Sequence, residues 1–222
     1  MINAWNKVIY KIWSPFYDKI FNSGIFLYAR KQIFKDITMN RKQKILFVGV
    51  GTGADLELID FSGLDITAID YSPAMLEKAR TKFKNSKINF LEMDAQNLEF
   101  NNNSFDYIIA SLIISVVPDA KKCFLEMTRV LKPEGEIIIF DKFSTKNKEL
   151  SPIKKTFRPL IRVLGTDIGV SFEDLFQSNN QNLLIMEDQP VLLKGMYRRI
   201  IIRKKLDLVF PLFKHPDQPL NS

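Results

Sequence analysis

From residue 44 onward the chain alternates short apolar runs with amphipathic stretches, and the runs carry the prediction. Ile45-Leu46-Phe47-Val48, the run closing on Asp70, Ile88 to Leu98 with Asp94-Ala95 at its end, Phe105 to Ser111, and Glu136 to Asp141 read as five strands. Runs this short and this continuous suit strands buried on both faces of a parallel sheet. Between them, Leu56, Ile59 and Phe61 have helical spacing, Ser72-Pro73 caps and opens a helix through Met75, Leu76 and Ala79, and DAKKCFLEMTRVL continues the alternation. Lys132-Pro133-Glu134-Gly135 reads as a turn. Leu183 to Glu187 and Met196 to Ile202, joined near Gly195, read as a closing antiparallel hairpin, and Ser171 to Asp174 as the capping box of a helix.

Ahead of this core, Ile2, Trp5, Val8, Ile9, Ile12 and Trp13 fall on one helical face opposite Asn3, Asn6, Lys7 and Lys11. Ser14-Pro15 starts a second helix with Phe16, Tyr17, Ile20 and Phe21, and residues 25–43 read as a third that ends in a basic connector. Aromatic residues facing lysines fit a helix in a membrane interface and equally a lid packed on the domain. The expected organisation is residues 1–43 as an N-terminal helical lid, 44–205 as one α/β domain and 206–222 as a tail.

Composition narrows the chemistry. The chain has 222 residues and 46% apolar content, enough for one sizeable core. A single cysteine, Cys123, excludes a disulfide framework, and His215 alone leaves no His/Cys cluster for a metal. No apolar run reaches spanning length, and Lys7, Lys11 and Lys19 interrupt any signal peptide, so a cytoplasmic protein is expected. The net charge of +7 is unevenly spread. Residues 1–44 hold nine Lys/Arg against two acids, residues 45–145 ten against fifteen, and residues 146–222 thirteen against eight. Basic flanks suit an anionic membrane surface or nucleic acid, and suit a plainly solvated surface as well.

The chemistry concentrates in KILFVGVGTGADLELIDFSGLDITAID, Lys44 to Asp70. Three alternating glycines, Gly49, Gly51 and Gly53, leave a buried strand, and an acid ends the next one. Such glycines permit φ > 0 and the close approach of a ligand, and an acid in that place can accept from both hydroxyls of a ribose. The turn also matches a dinucleotide fingerprint with alanine last, so the glycines alone leave an NAD-dependent dehydrogenase open.

The glycine turn, Asp70, the DAQNL segment, SFDYIIAS and RVLKPEGEIIIF together resemble the class I S-adenosylmethionine-dependent methyltransferases over roughly residues 5 to 205. That resemblance implies a Rossmann-like seven-stranded sheet, mostly parallel with a C-terminal antiparallel hairpin, flanked by helices. It implies S-adenosyl-L-methionine held by Gly49, Gly51, Thr52, Gly53, Asp70, Tyr71, Met75, Asp94, Ala95 and Ser111, with Tyr71 and Met75 flanking the adenine and Asp94 and Ala95 on its edge. Asp94 capping a turn is the plainer alternative. One departure stands out: family members carry an acid where this chain has Phe47, and Asp55, or Tyr17 with Arg30, could substitute for it.

No nucleophile or triad is expected, because methyl transfer from a sulfonium needs alignment and exclusion of water. Tyr10, Trp13 and Tyr17 with the turns after strands four and five could form the acceptor site, with Tyr17 and Tyr10 positioning the substrate. YKIWSPFYDKIF and FRPLIRVLG resemble bacterial phospholipid N-methyltransferases acting on phosphatidylethanolamine, and the core and YD element also resemble quinone C-methyltransferases. The acceptor expected is therefore a lipid or small molecule, with the enzyme peripheral on the inner face of the membrane; nucleic acid is less expected because SLIISVVPD lacks the paired prolines of amino-methylating enzymes. A regulatory protein that only binds S-adenosylmethionine is the non-catalytic alternative.

Overall fold

A computed structural model of the chain describes residues 24–144, 169–178 and 182–206. The readings made for Trp5, Tyr10, Trp13, Tyr17, FRPLIRVLG and the tail lie outside the described residues. The elements are α1 (Gly24–Ile33), β1 (Lys44–Val48), β2 (Asp65–Asp70), α2 (Pro73–Lys82), β3 (Asn89–Glu92), β4 (Phe105–Ser111), α3 (Ala120–Val130), β5 (Leu131–Lys142), α4 (Phe172–Gln177), β6 (Leu183–Leu192) and β7 (Tyr197–Lys204).

The seven strands form one sheet in the order β3-β2-β1-β4-β5-β7-β6. β1 to β5 are parallel, and β7 runs antiparallel to both β5 and β6. Alternation along each strand divides the core between the two faces. Leu46, Val48, Ile108, Ala110, Ile137 and Ile139 pack with Cys123, Phe124 and Met127 of α3 on one face. Ile45, Phe47, Ala68, Ile109, Ile138 and Phe140 pack with Ala29 and Ile33 of α1 on the other. The sheet order reverses between β1 and β4, and the crevice at their carboxyl ends is where open α/β sheets take ligands.

Three sequence expectations are corrected. Leu56, Ile59 and Phe61 do not lie on an α-helix: after the glycines the chain makes one 3-10 turn, Leu56–Leu58, and Ile59 is already extended (φ −123°, ψ 150°). Asp60 then accepts from the Ser62 N–H at 2.9 Å, folding the chain back before a helix could continue. The third helix stops at Ile33 because Arg199 reaches across from β7. Its Nε donates to the Ile33 carbonyl (3.0 Å) and its Nη2 to that of Lys35 (2.7 Å), satisfying carbonyls at the helix end. Lys132 to Gly135 is an irregularity within β5, since the pairing passes from Phe105↔Leu131 directly to Tyr107↔Glu136.

The basic residues of β7 are largely paired internally. Arg198 pairs with Glu173 at 3.0 Å and also with Asp188, Arg199 pairs with Glu187, and Arg203 with Glu136 at 2.6 Å. Lys204 Nζ donates to the carbonyls of Thr128 (3.0 Å) and Leu131 (2.8 Å). This cluster therefore knits the hairpin to its neighbours. The Ser171 cap is present, its Oγ accepting from the Asp174 N–H at 3.2 Å.

Candidate active site

The glycine turn follows β1 directly, with Gly49 at φ +71° and Gly51 at φ +57°. Gly49 is constrained twice. A Cβ on it would lie 2.7 Å from the Ile113 side chain, so the loop after β4 rests against the backbone of the turn. At Gly51 a Cβ would meet nothing within 4 Å. Its outer side is open, which is what a backbone cradling a ligand requires. Gly51→Ala is expected to cost about 1–2 kcal/mol of stability from the left-handed backbone. It should weaken cofactor binding by roughly tenfold or more, because the methyl enters the ligand's space; melting and calorimetry on one preparation check both. Thr52 and Gly53 continue the loop as buried residues.

Asp70 ends β2 beside this loop. The Gly51 N–H donates to its Oδ2 and the Ser72 N–H to its Oδ1, each at 2.8 Å. One carboxylate thus joins the glycine turn to the start of α2. Packed among protein atoms, the carboxyl is pushed up to about 6 by burial, against the lowering effect of the Ser72, Gly51 and Tyr71 N–H groups. Ribose hydroxyls suit it, since a carboxylate offers about four lone-pair sites and those N–H groups do not use all of them. Tyr71 is half-buried, and Met75 is buried in the first turn of α2.

Asp94 makes the turn that the plainer expectation gave it. Its Oδ1 accepts from the Gln96 N–H and from Gln96 Nε2, both at 2.9 Å. Gln96 Oε1 in turn accepts from the Asp119 N–H at 2.8 Å, and Asp119 caps α3 by accepting from Lys122 N–H at 2.9 Å. Asp94 and buried Ala95 are thereby fixed at the carboxyl end of β3, where an adenine edge could meet them. Gln96 was not singled out from the sequence, since its partner Asp119 lies 23 residues away.

Ser111 ends β4, and Asp141 is the last residue but one of β5. Asp141 is wholly buried; its Oδ2 accepts from the Ser115 N–H at 3.0 Å, and burial holds its carboxyl above the ordinary range. It anchors the loop whose Ile113 rests on Gly49. Cys123 is buried against this face and its thiol is pushed up by burial and by nearby acids, so it is inert packing. Arg30 of α1 donates from Nε to Asp55 Oδ1 at 2.8 Å, with side chains 6% and 7% exposed, so the Arg30 and Asp55 proposed for the absent acid meet each other. Among the described residues there is no group of His, Cys, Asp and Glu arranged to hold a metal, and no helix long and apolar enough to cross a membrane.

An open turn at Gly51, a carboxylate that could accept from ribose hydroxyls and a fixed Asp94-Ala95 edge suit a nucleoside. Known proteins point the same way. A family profile described as Methyltransferase domain matches residues 46–139. The phosphatidylethanolamine N-methyltransferase of Cereibacter sphaeroides is 30% identical over 161 residues, 71% of this chain and 78% of that protein. The demethylmenaquinone methyltransferase of Renibacterium salmoninarum is 38% identical over 97 residues, 44% of this chain and 40% of that protein. On the fold alone, the solved CurJ carbon methyltransferase superposes with a TM-score of 0.64 at 12% identity, over 85% of this chain and 57% of that one. With its glycine turn, its Asp70 and a relative matched over most of both chains, this chain belongs to the class I S-adenosylmethionine-dependent methyltransferases.

Proposed function

We propose that this methyltransferase N-methylates the amine headgroup of a phospholipid at an anionic membrane surface, peripheral on the inner face of the membrane. The observation that carries the reading is the match to a phosphatidylethanolamine N-methyltransferase across 71% of the chain, well beyond the cofactor core. The basic residues 1–44 support it, since they would draw the protein to an anionic surface.

The cofactor supplies a methyl group on a sulfonium, an electrophilic carbon with a good leaving group. Gly49, Gly51, Thr52 and Gly53 give the backbone cradle, Asp70 takes the ribose hydroxyls, Tyr71 and Met75 flank the adenine, and Asp94 and Ala95 meet its edge. Ser111 lines the crevice where methyl and acceptor meet. Tyr10 and Tyr17 would complete the acceptor side from the N-terminal segment. Aromatic walls disfavour the charged ammonium and so raise the fraction of neutral amine that can attack, while their faces tolerate the cationic product. A quinone as acceptor is the second reading, favoured by the demethylmenaquinone methyltransferase match over 44% of the chain.

Incubation with methyl-labelled S-adenosylmethionine and a total lipid extract tests the proposal. Label in amine-headgroup lipids is expected. Label in the neutral quinone fraction instead would favour the second reading, and no label in any lipid would overturn both.

A further inference from the structure

At the carboxyl end of β4 one buried hydroxyl lacks what buried hydroxyls require. Ser111 is 7% exposed, and its Oγ is a fully buried polar atom with no hydrogen-bond partner among the described residues. Such groups are rare in folded proteins and call for an explanation. The next residue is also held unfavourably: Leu112 sits at φ +57°, a left-handed conformation uncommon for a leucine, fixed by its N–H donating to the Phe140 carbonyl at 2.7 Å.

The surroundings give these two features a place. Ser111 pairs in register with Phe140 of β5, its neighbour Ala110 pairs with Val48, and Ile113 closes on Gly49. Ser111 therefore stands beside the glycine turn at the point where the strand order reverses. An orphaned hydroxyl and a strained turn coincide at the carboxyl end of β4, beside the glycine turn. A ligand atom is the partner such a position lacks.

We propose that the Ser111 hydroxyl orients the acceptor nitrogen by accepting one of its N–H groups, so that the nitrogen lone pair faces the methyl carbon. This rests on the amine reading above. In the transfer, the lone pair forms the N–C bond as the C–S bond breaks, its electron pair stays on sulfur, and the resulting ammonium releases its proton to water. A neutral primary amine carries two N–H groups, the monomethylated amine one, and the dimethylated amine none. Ser111 can therefore assist the first two transfers and has nothing to accept in the third. It is a positioning residue whose effect depends on the methylation state of the acceptor.

The test uses the full-length protein and vesicles of anionic lipid carrying phosphatidylethanolamine, its N-monomethyl or its N,N-dimethyl derivative. Ser111→Ala should slow transfer to the first two roughly tenfold to a hundredfold more than transfer to the third, the size expected for one hydrogen bond in the transition state. Ser111→Thr, which keeps the hydroxyl, should restore the first two. Without ligand, Ser111→Ala should melt no lower than the wild type, because it removes an unpaired polar group; a hydroxyl with a structural role would give the opposite sign. Equal slowing of all three transfers, no slowing, or a loss confined to S-adenosylmethionine affinity measured by calorimetry would overturn the inference. Wild-type protein that methylates none of the three would overturn the amine reading and the inference with it.

Discussion

Asp70→Ala is expected to weaken S-adenosylmethionine binding by about 10²–10⁴-fold, since two hydrogen bonds to a charged acceptor are worth roughly 1.5–3 kcal/mol each. Methyl transfer should be lost with it at ordinary cofactor concentrations. The loss has a second source, because the same carboxylate holds the Gly51 and Ser72 N–H groups. Without it the glycine turn loses a fixed partner as well as the ribose. Calorimetry should show the fall in affinity while circular dichroism shows a retained fold, and binding within a few-fold of wild type would overturn the site.

The wild type should show a matching pH dependence. Burial is the main cause of the raised Asp70 carboxyl, which titrates at about 6 in the folded chain instead of its ordinary value of 3.8. Hydroxyls donate to the ionised form, so cofactor affinity should rise as pH increases through about 6 and level off above. Stability without ligand should respond in the opposite sense. A raised acid binds its proton more readily in the folded state, so this contribution is fully present below about pH 4 and is lost as pH rises to about 6. Affinity and stability changing in opposite directions across that window would identify one carboxyl behind both, and Asp70→Ala should flatten both.

How much of this was legible in the sequence depends on the range of the interaction. β1, β2 and β4 could be read because each carries a short buried apolar run, Ile45 to Val48, Ala68-Ile69 and Ile108 to Ala110, a signal local to a few residues. The Ser171 cap lies within one helical turn of the group it satisfies. Leu56, Ile59 and Phe61 misled because their spacing fits a helix while the Asp60 and Ser62 turn only a residue later forbids one. The end of α1 was not legible at all, since it is set by Arg199, 166 residues from Ile33. At the candidate site the same division holds. Gly51 and Asp70 could be read from strand and turn spacing, but the Asp141 anchor and the Arg30 pair join segments the sequence leaves far apart.

Arg30→Ala is expected to destabilise the fold by about 3–5 kcal/mol, the usual cost of leaving one member of a buried ion pair without the other. For a chain of this size that is a fall in melting temperature of ~10 °C. The pair bears on Phe47, which stands where the family resemblance implies an acid. Phe47 is 1% exposed and packs with Ala29 and Ile33, so a carboxylate there would be buried among apolar side chains of α1 at considerable cost. A carboxylate lies nearby at Asp55, two residues after Gly53, and Arg30 of the same helix α1 meets it at 2.8 Å. We infer that the pair fixes the glycine loop against α1 and thereby the end of the cofactor that the absent acid would orient. Replacing both partners with apolar residues, Arg30→Met with Asp55→Leu, separates the two roles. Stability should return to within about 1–2 kcal/mol of wild type, as apolar replacements of buried pairs often do, while cofactor affinity stays reduced by roughly tenfold, because the packing is restored but the polar tie is not. A cofactor dissociation constant unchanged in both variants would reject the tie and leave Arg30 and Asp55 with a role in folding alone.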